Sequence, residues 1–159
     1  MNHAKKSWQE KLADHKGLPT VFELSDKQSK RWGPGTCVIP CPMEVNELMR
    51  RVPKGKLTTI DEMRITLARR HRTTLACPIT TGIFAWIAAH AAAEAETEGK
   101  KRTTCYWRTL KSGGEINPKY PGGIPVLKKK LVAEGHKILH KRKHYFVAGF
   151  EQKLAKLER

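Results

Sequence analysis

Apolar residues recur at helical spacing in several well-separated stretches of the chain. Val45, Leu48 and Met49 share one face of a short helix that ends by Pro53, since positions three and four apart lie on one side of a helical turn. Lys54-Gly55-Lys56 is a turn, and Thr58 or Thr59 is placed to cap the next helix. Asp61 and Glu62 fall in its first turn, where carboxylates offset unpaired amides. Ile60, Met63 and Leu67 form its inward face, and Arg64, Arg69 and Arg70 are expected in solvent. After a break from His71 to Ala76, Pro78 opens a long apolar helix carrying Ile83, Phe84, Trp86 and Ile87. Ile83, Trp86 and Ile87 are expected in the core. The helix closes in an acidic turn around Glu94, Glu96 and Glu98. Residues 122–134 form a further helix, with Ile124, Leu127 and Leu131 on one side and Lys128, Lys129 and Lys130 mostly on another, stopped by Gly135.

The strand signals are shorter. Thr103 to Leu110 alternates as a strand or extended loop would, and Ser112-Gly113-Gly114 and Asn117-Pro118 supply turn chemistry. Ile138 to Val147 reads as a β-hairpin with Lys141-Arg142-Lys143 at its tip. Phe150, Leu154 and Leu157 fall on one stripe of a short C-terminal helix. Upstream, residues 3–15 have a helical pattern with Trp8 and Leu12 one turn apart. Gly17 to Pro42 is richer in Pro, Gly and isolated apolar residues, with a strong turn at Gly33-Pro34-Gly35, and is expected to be irregular. The pattern as a whole predicts an α+β fold. Residues 1–44 form an N-terminal extension, and 45–159 form a domain in which two helices on a short connection suit a helix-turn-helix.

Charge narrows the partner. Lys and Arg number 31 against 15 Asp and Glu, a formal net charge of +16, which favours a polyanion: DNA, RNA or an anionic membrane surface. No uninterrupted apolar run approaches the roughly 18 residues that span a bilayer, and Met1 to Lys16 is charged throughout, so a cytoplasmic monomer without a membrane partner is expected. Cys37, Cys41, Cys77 and Cys105 do not make a disulfide framework. Cys37-Val-Ile-Pro-Cys41 has a zinc-like spacing, but no second compact Cys/His pair follows, so neither a metal nor a cofactor is expected. Basic groups flank the two central helices: Arg50, Arg51, Lys54 and Lys56 before them, then Arg69, Arg70 and Arg72. Lys100 to Arg102, Lys128 to Lys130 and the hairpin tip follow. Between Leu75 and Gly99 there is no Lys or Arg, and the second helix opens instead with Ile79, Thr80, Thr81 and Gly82. Such small residues allow close backbone approach to a phosphate.

An ordered series of short motifs carries a resemblance. Val52-Pro53-Lys54-Gly55-Lys56-Leu57-Thr58-Thr59 is followed by Gly82, then Tyr106-Trp107-Arg108, Tyr120-Pro121-Gly122-Gly123, Leu131 and Glu134-Gly135-His136. In this order, residues from about Val52 to His136 resemble the DNA-binding domain of the methylated-DNA–protein cysteine methyltransferases and the alkyltransferase-like proteins. The resemblance implies a winged-helix-like helix-turn-helix domain, here with a short N-terminal extension and a C-terminal β-hairpin. It also implies double-stranded DNA as partner, with or without an alkylated base. It places Lys54, Lys56, Arg69, Arg70, Arg72, Ile79, Thr80, Thr81, Gly82, Arg108 and Tyr120 at or behind the DNA surface.

The departures decide the chemistry. The family's Cys-His-Arg is Tyr106-Trp107-Arg108, so of its cysteine–histidine–glutamate relay only Glu134 remains. A phenol with a pKa near ~10 and no adjacent base is a poor nucleophile at neutral pH. The family's phosphate-facing tyrosine aligns with Ile60 and its arginine finger with Ile79, which can act only as an apolar wedge. Tyr106 and Trp107 either fill the former pocket or offer Tyr106 to stack on an everted base. Cys105 lies one residue before the aligned cysteine, where an extended segment would turn it to the opposite face. The expected function is a non-catalytic, alkyltransferase-like DNA-binding protein that recognises alkylated guanine for repair. The alternatives are an active methyltransferase using Cys105 and a nonspecific basic DNA- or RNA-binding module.

Overall fold

Seven of the twenty residues of the central helix are alanine, and this shapes the packing around it. In the computed structural model, which describes residues 5–158, this helix runs Pro78–Thr97 and is α5. Ala85, Ala88, Ala89 and Ala92 are buried. Their small side chains let α1 (Trp8–Ala13), α3 (Pro42–Arg50) and α4 (Ile60–His71) approach closely. Residues 3 and 4 of the helix expected at the start lie outside the described residues. Ser7 caps α1, and the Glu94 carboxylate of α5 accepts from the amides of Trp8 at 3.1 Å and Gln9 at 3.2 Å. Trp8 stacks on His90 with centroids 4.4 Å apart and meets Trp86 edge-on at 4.8 Å.

Residues 17–42 are not irregular. They form β1 (Thr20–Glu23), α2 (Asp26–Trp32) and β2 (Thr36–Ile39). A Ser25–Gln28 capping box starts α2. β1 pairs antiparallel with β2, and β2 pairs parallel with β4 (Leu75–Ala76). The strands are too short for alternation to stand out, and β2 buries the adjacent residues Cys37 and Val38, so a period of two is absent from the sequence. Residue 44 lies inside α3, whose Val45, Leu48 and Met49 are fully buried.

Thr59 caps α4 through its side chain, accepting from Glu62 N at 3.1 Å. β3 (Thr58–Thr59) lies parallel to β5 (Thr109–Leu110). Of the strand or extended loop expected over 103–110, only β5 is strand, because Tyr106–Arg108 form a single 3₁₀ turn. Helix α6 (Gly123–Ala133) follows Gly122, whose φ of +87° and proximity to Val126 admit no β-carbon. β6 (Ile138–Lys141) and β7 (His144–Val147) are the antiparallel hairpin. The expected C-terminal helix is a 3₁₀ turn over Phe150–Lys153, after which Leu154 bridges Leu57 and Leu157 is buried. Backbone pairing with residue 57 competes with helix there. The core runs from Leu48, Met49 and Leu57 through Met63 and Leu67 to Leu127 and Leu131. Among the described residues, no helix is long and apolar enough to cross a membrane.

Candidate nucleic-acid interface

The motif residues divide between two places. The first is a closed polar node at the end of α6. Glu134 takes hydrogen bonds from Trp107 Nε1 at 2.9 Å, Arg108 Nε at 2.9 Å, Arg108 Nη2 at 2.8 Å and the Gly55 amide at 3.2 Å. Arg108 Nη1 donates to the Val52 carbonyl at 2.9 Å. The node therefore ties the 3₁₀ turn, the 52–56 turn and α6 together. Burial by itself would raise the Glu134 carboxyl, but Arg108, Trp107 and the Gly55 amide outweigh it and hold the carboxyl below its ordinary value. Lys130 lies 4.3 Å from the Trp107 ring, over its face. With its oxygens taken by these donors, Glu134 is a structural anion.

Tyr106 is 3% exposed, in edge-to-face contact with Trp107 and Tyr120, and burial raises its phenol. Its ring fills the interior. Tyr120 is likewise in the core. The partly exposed Cys105 rests its Sγ 3.9 Å from the Thr103 carbonyl oxygen, and burial pushes its thiol up against the opposing charge of Arg108. A thiol whose pKa is raised is a weak nucleophile at neutral pH. Neither Cys37 nor Cys41 lies in a metal-binding cluster of three or more His, Cys, Asp or Glu among the described residues.

The second place is an open cleft of about 770 Å³ where the first turns of α4 and α5 face the 111–119 loop. Ile79 (55% exposed) and Ile83 (46% exposed) stand on its α5 side with Gly82 and the half-buried Trp86. Ile60, Asp61 and Arg64 come from α4, and Lys111, Glu115 and Lys119 from the loop. Two expectations change here. Ile83 is not core, and Trp86 is only partly so, with its Nε1 donating to the Lys119 carbonyl at 3.2 Å. The alanine face of α5 takes the interior, leaving Ile79, Ile83 and Trp86 along the opposite stripe at helical spacing. Arg64 does not extend freely into solvent, since its Nε donates to the Ala76 carbonyl at 2.9 Å.

The glycine at 82 has an unusual setting. No atom lies within 4 Å of the position a β-carbon would take, and its φ is not positive. A glycine within a helix costs about 1 kcal/mol relative to alanine, and neither packing nor backbone conformation requires it here. The neighbouring Thr81 is fully buried, its hydroxyl donating to Cys77 O at 2.7 Å. Thr80 is partly buried, with an unpartnered hydroxyl oxygen.

The expected basic residues are spread out. Arg69 pairs with Glu158 at 3.3 Å and Arg70 with Glu44 at 3.1 Å, both near the C-terminal end of α4 and away from the cleft. Arg72 caps α4 in a left-handed conformation and is exposed. Lys54 and Lys56 are exposed on the turn beside Glu134. Thus Arg108, Tyr120, Tyr106 and Thr81 are turned into the protein, while Ile79 and Gly82 face open space. Sequence reasoning missed Lys111, Glu115 and Lys119. The only signal was a glycine-rich loop bounded by lysines, which reads as a turn until its position is known.

No family model matches the chain, and no curated protein matches it. Among solved structures, the fold is similar to that of S. pombe Atl1, an alkyltransferase-like protein, in complex with damaged DNA containing O6-carboxymethylguanine; the TM-score is 0.52 at 19% identity, over 72% of this chain and 94% of that one.

Proposed function

We propose that this protein binds duplex DNA at the α4–α5 cleft and recognises alkylated guanine without transferring the alkyl group. Gly82 carries the proposal. A helix that would fold better with alanine keeps a side chain absent where α5 borders the cleft, between Ile79 and Ile83. A ligand that approaches the backbone gains from that absence. In this reading α4 and α5 are a helix-turn-helix whose second helix enters the minor groove by its first turns, with Ile79 as an apolar wedge. The apolar wall of Ile79, Ile83 and Trp86 suits the face of an unstacked base. Lys111 and Lys119 supply nearby charge for phosphate. Atl1, whose fold is similar, was solved with DNA carrying an O6-alkylated guanine, which suggests the lesion to test.

The non-catalytic half of the reading rests on the closed node. Tyr106 is buried with a raised phenol pKa, Glu134 is saturated by donors, and the Cys105 thiol is pushed up. None of these groups offers a nucleophile at neutral pH. The test is titration of matched duplexes with and without an O6-alkylguanine, at two salt concentrations. Tighter binding to the lesion duplex is the expected result. Equal affinity reduces the protein to a nonspecific DNA binder, and binding to neither duplex overturns the proposal.

A further inference from the structure

We infer that the tip of the β6–β7 hairpin is a second phosphate grip, closing on the DNA strand that feeds the cleft. The inference rests on the reading of the cleft as a DNA site. Its first observation is the turn itself. Lys141 and His144 form the last pair of the hairpin, leaving Arg142-Lys143 as a two-residue connection. Arg142 has a φ of +57°, a conformation that such turns ordinarily give to Asn or Gly. Backbone economy alone would favour glycine at position 142, the central residue of the two with positive φ. The chain instead presents Lys141, Arg142 and Lys143 in succession, all exposed, and none is paired with a carboxylate among the described ion pairs. Unneutralised cations at a strained turn make functional sense when a polyanion binds them.

Its second observation is position. Glu115 lines the cleft and accepts from His144 Nδ1 at 2.7 Å, immediately beside the tip. Glu115 also bridges to Phe146, and the Ile116 amide donates to the Tyr145 carbonyl at 2.8 Å. The cations thus stand one hydrogen bond away from the cleft, on a hairpin fastened to the loop that forms its wall. The hairpin is further stiffened by His140 stacked on Tyr145, with rings 4.2 Å apart and nearly parallel at 4°. Cations held in place lose little freedom when they meet phosphate, and the adjoining backbone of a strand at the cleft is the polyanion within reach.

The experiment replaces Arg142→Gly together with Lys143→Asn, which removes two charges while giving glycine to the position of positive φ, so folding is preserved. Binding of the lesion duplex is measured against salt, with single neutral methylphosphonate linkages placed along each strand. The expected result is a salt slope lower by about two, with one or two phosphates near the lesion whose neutralisation weakens the parent protein several-fold and the variant hardly at all. An unchanged slope in the variant while the parent protein binds overturns the grip and leaves the cleft reading intact. A lower slope with the same sensitive phosphates in both proteins also overturns it, because the contacts would lie elsewhere. A parent protein that binds no duplex overturns both.

Discussion

Arg108 and Glu134 are joined through two guanidinium nitrogens, Nε at 2.9 Å and Nη2 at 2.8 Å, in a setting that leaves their side chains 12% and 7% exposed. The same carboxylate takes the Trp107 indole and the Gly55 amide. Glu134 is thereby a fastening between the 3₁₀ turn, the 52–56 turn and α6.

Removing the anion should therefore unfasten the domain. Glu134→Ala leaves the Arg108 charge buried and unpaired, which is expected to cost about 3 kcal/mol. Chemical denaturation measures this as a shift in midpoint. A loss below ~1 kcal/mol, the size of an exposed pair, would mean that the node does not hold the fold.

Acid should weaken the fold in two stages. Burial depresses the imidazole of His136 below its ordinary 6.5, so the unfolded chain takes up a proton there before the folded one does. Stability then falls as pH drops below that value. The Glu134 carboxyl is held below its ordinary 4.5, so its contribution is present above that value and is lost as the pH falls through the folded value. Melting temperature should decline as the pH drops below 6.5 and again below 4.5, and His136→Gln should remove the upper stage. A melting profile flat from pH 7 to 5 would contradict this.

Gly82→Ala separates folding from binding. With open space around the new methyl group and an ordinary helical φ, the variant should be more stable by up to about 1 kcal/mol. Its affinity for the lesion duplex should fall at least several-fold. A variant that is stabilised yet binds as tightly as the parent protein would remove the cleft from the interface.

Cys105 should remain unmodified. Incubation with duplex containing O6-methylguanine, followed by mass spectrometry of the intact protein, is expected to show no added methyl group. Cys105→Ser should bind like the parent protein. A stoichiometric methyl adduct on Cys105 would restore the methyltransferase alternative.

Glu94 is an N-terminal cap supplied from another helix. The Gln9 side chain and the two amides of Gln9 and Trp8 donate to it, and these donors hold its carboxyl below the ordinary value. Glu94→Ala should free α1, separating Trp8 from His90 and Trp86, and shift tryptophan emission to the red while α5 persists. Unchanged emission would show that aromatic packing alone seats α1.

Periodicity and capping made much of the helical framework readable from the chain. Thr59, Pro78 and Gly135 mark ends that local backbone chemistry enforces, and Val45, Leu48, Met49, Met63, Leu67, Leu127 and Leu131 are inward wherever those helices form. The β6–β7 hairpin was legible for the same reason, because its strands pair with their nearest neighbour in sequence. Tertiary structure alone decided which side of α5 is the surface. An apolar helix with alanine on one side and isoleucine on another has no sequence polarity to orient it, and close packing with α1, α3 and α4 selects the small side chains. That choice exposes Ile79 and Ile83, brings Lys111, Glu115 and Lys119 opposite them, and separates Tyr106 and Glu134 from the cleft. Long-range pairing likewise decided that residues 20–39 join β4 and that the C-terminus meets Leu57, since partners distant in sequence leave no periodic trace in either segment.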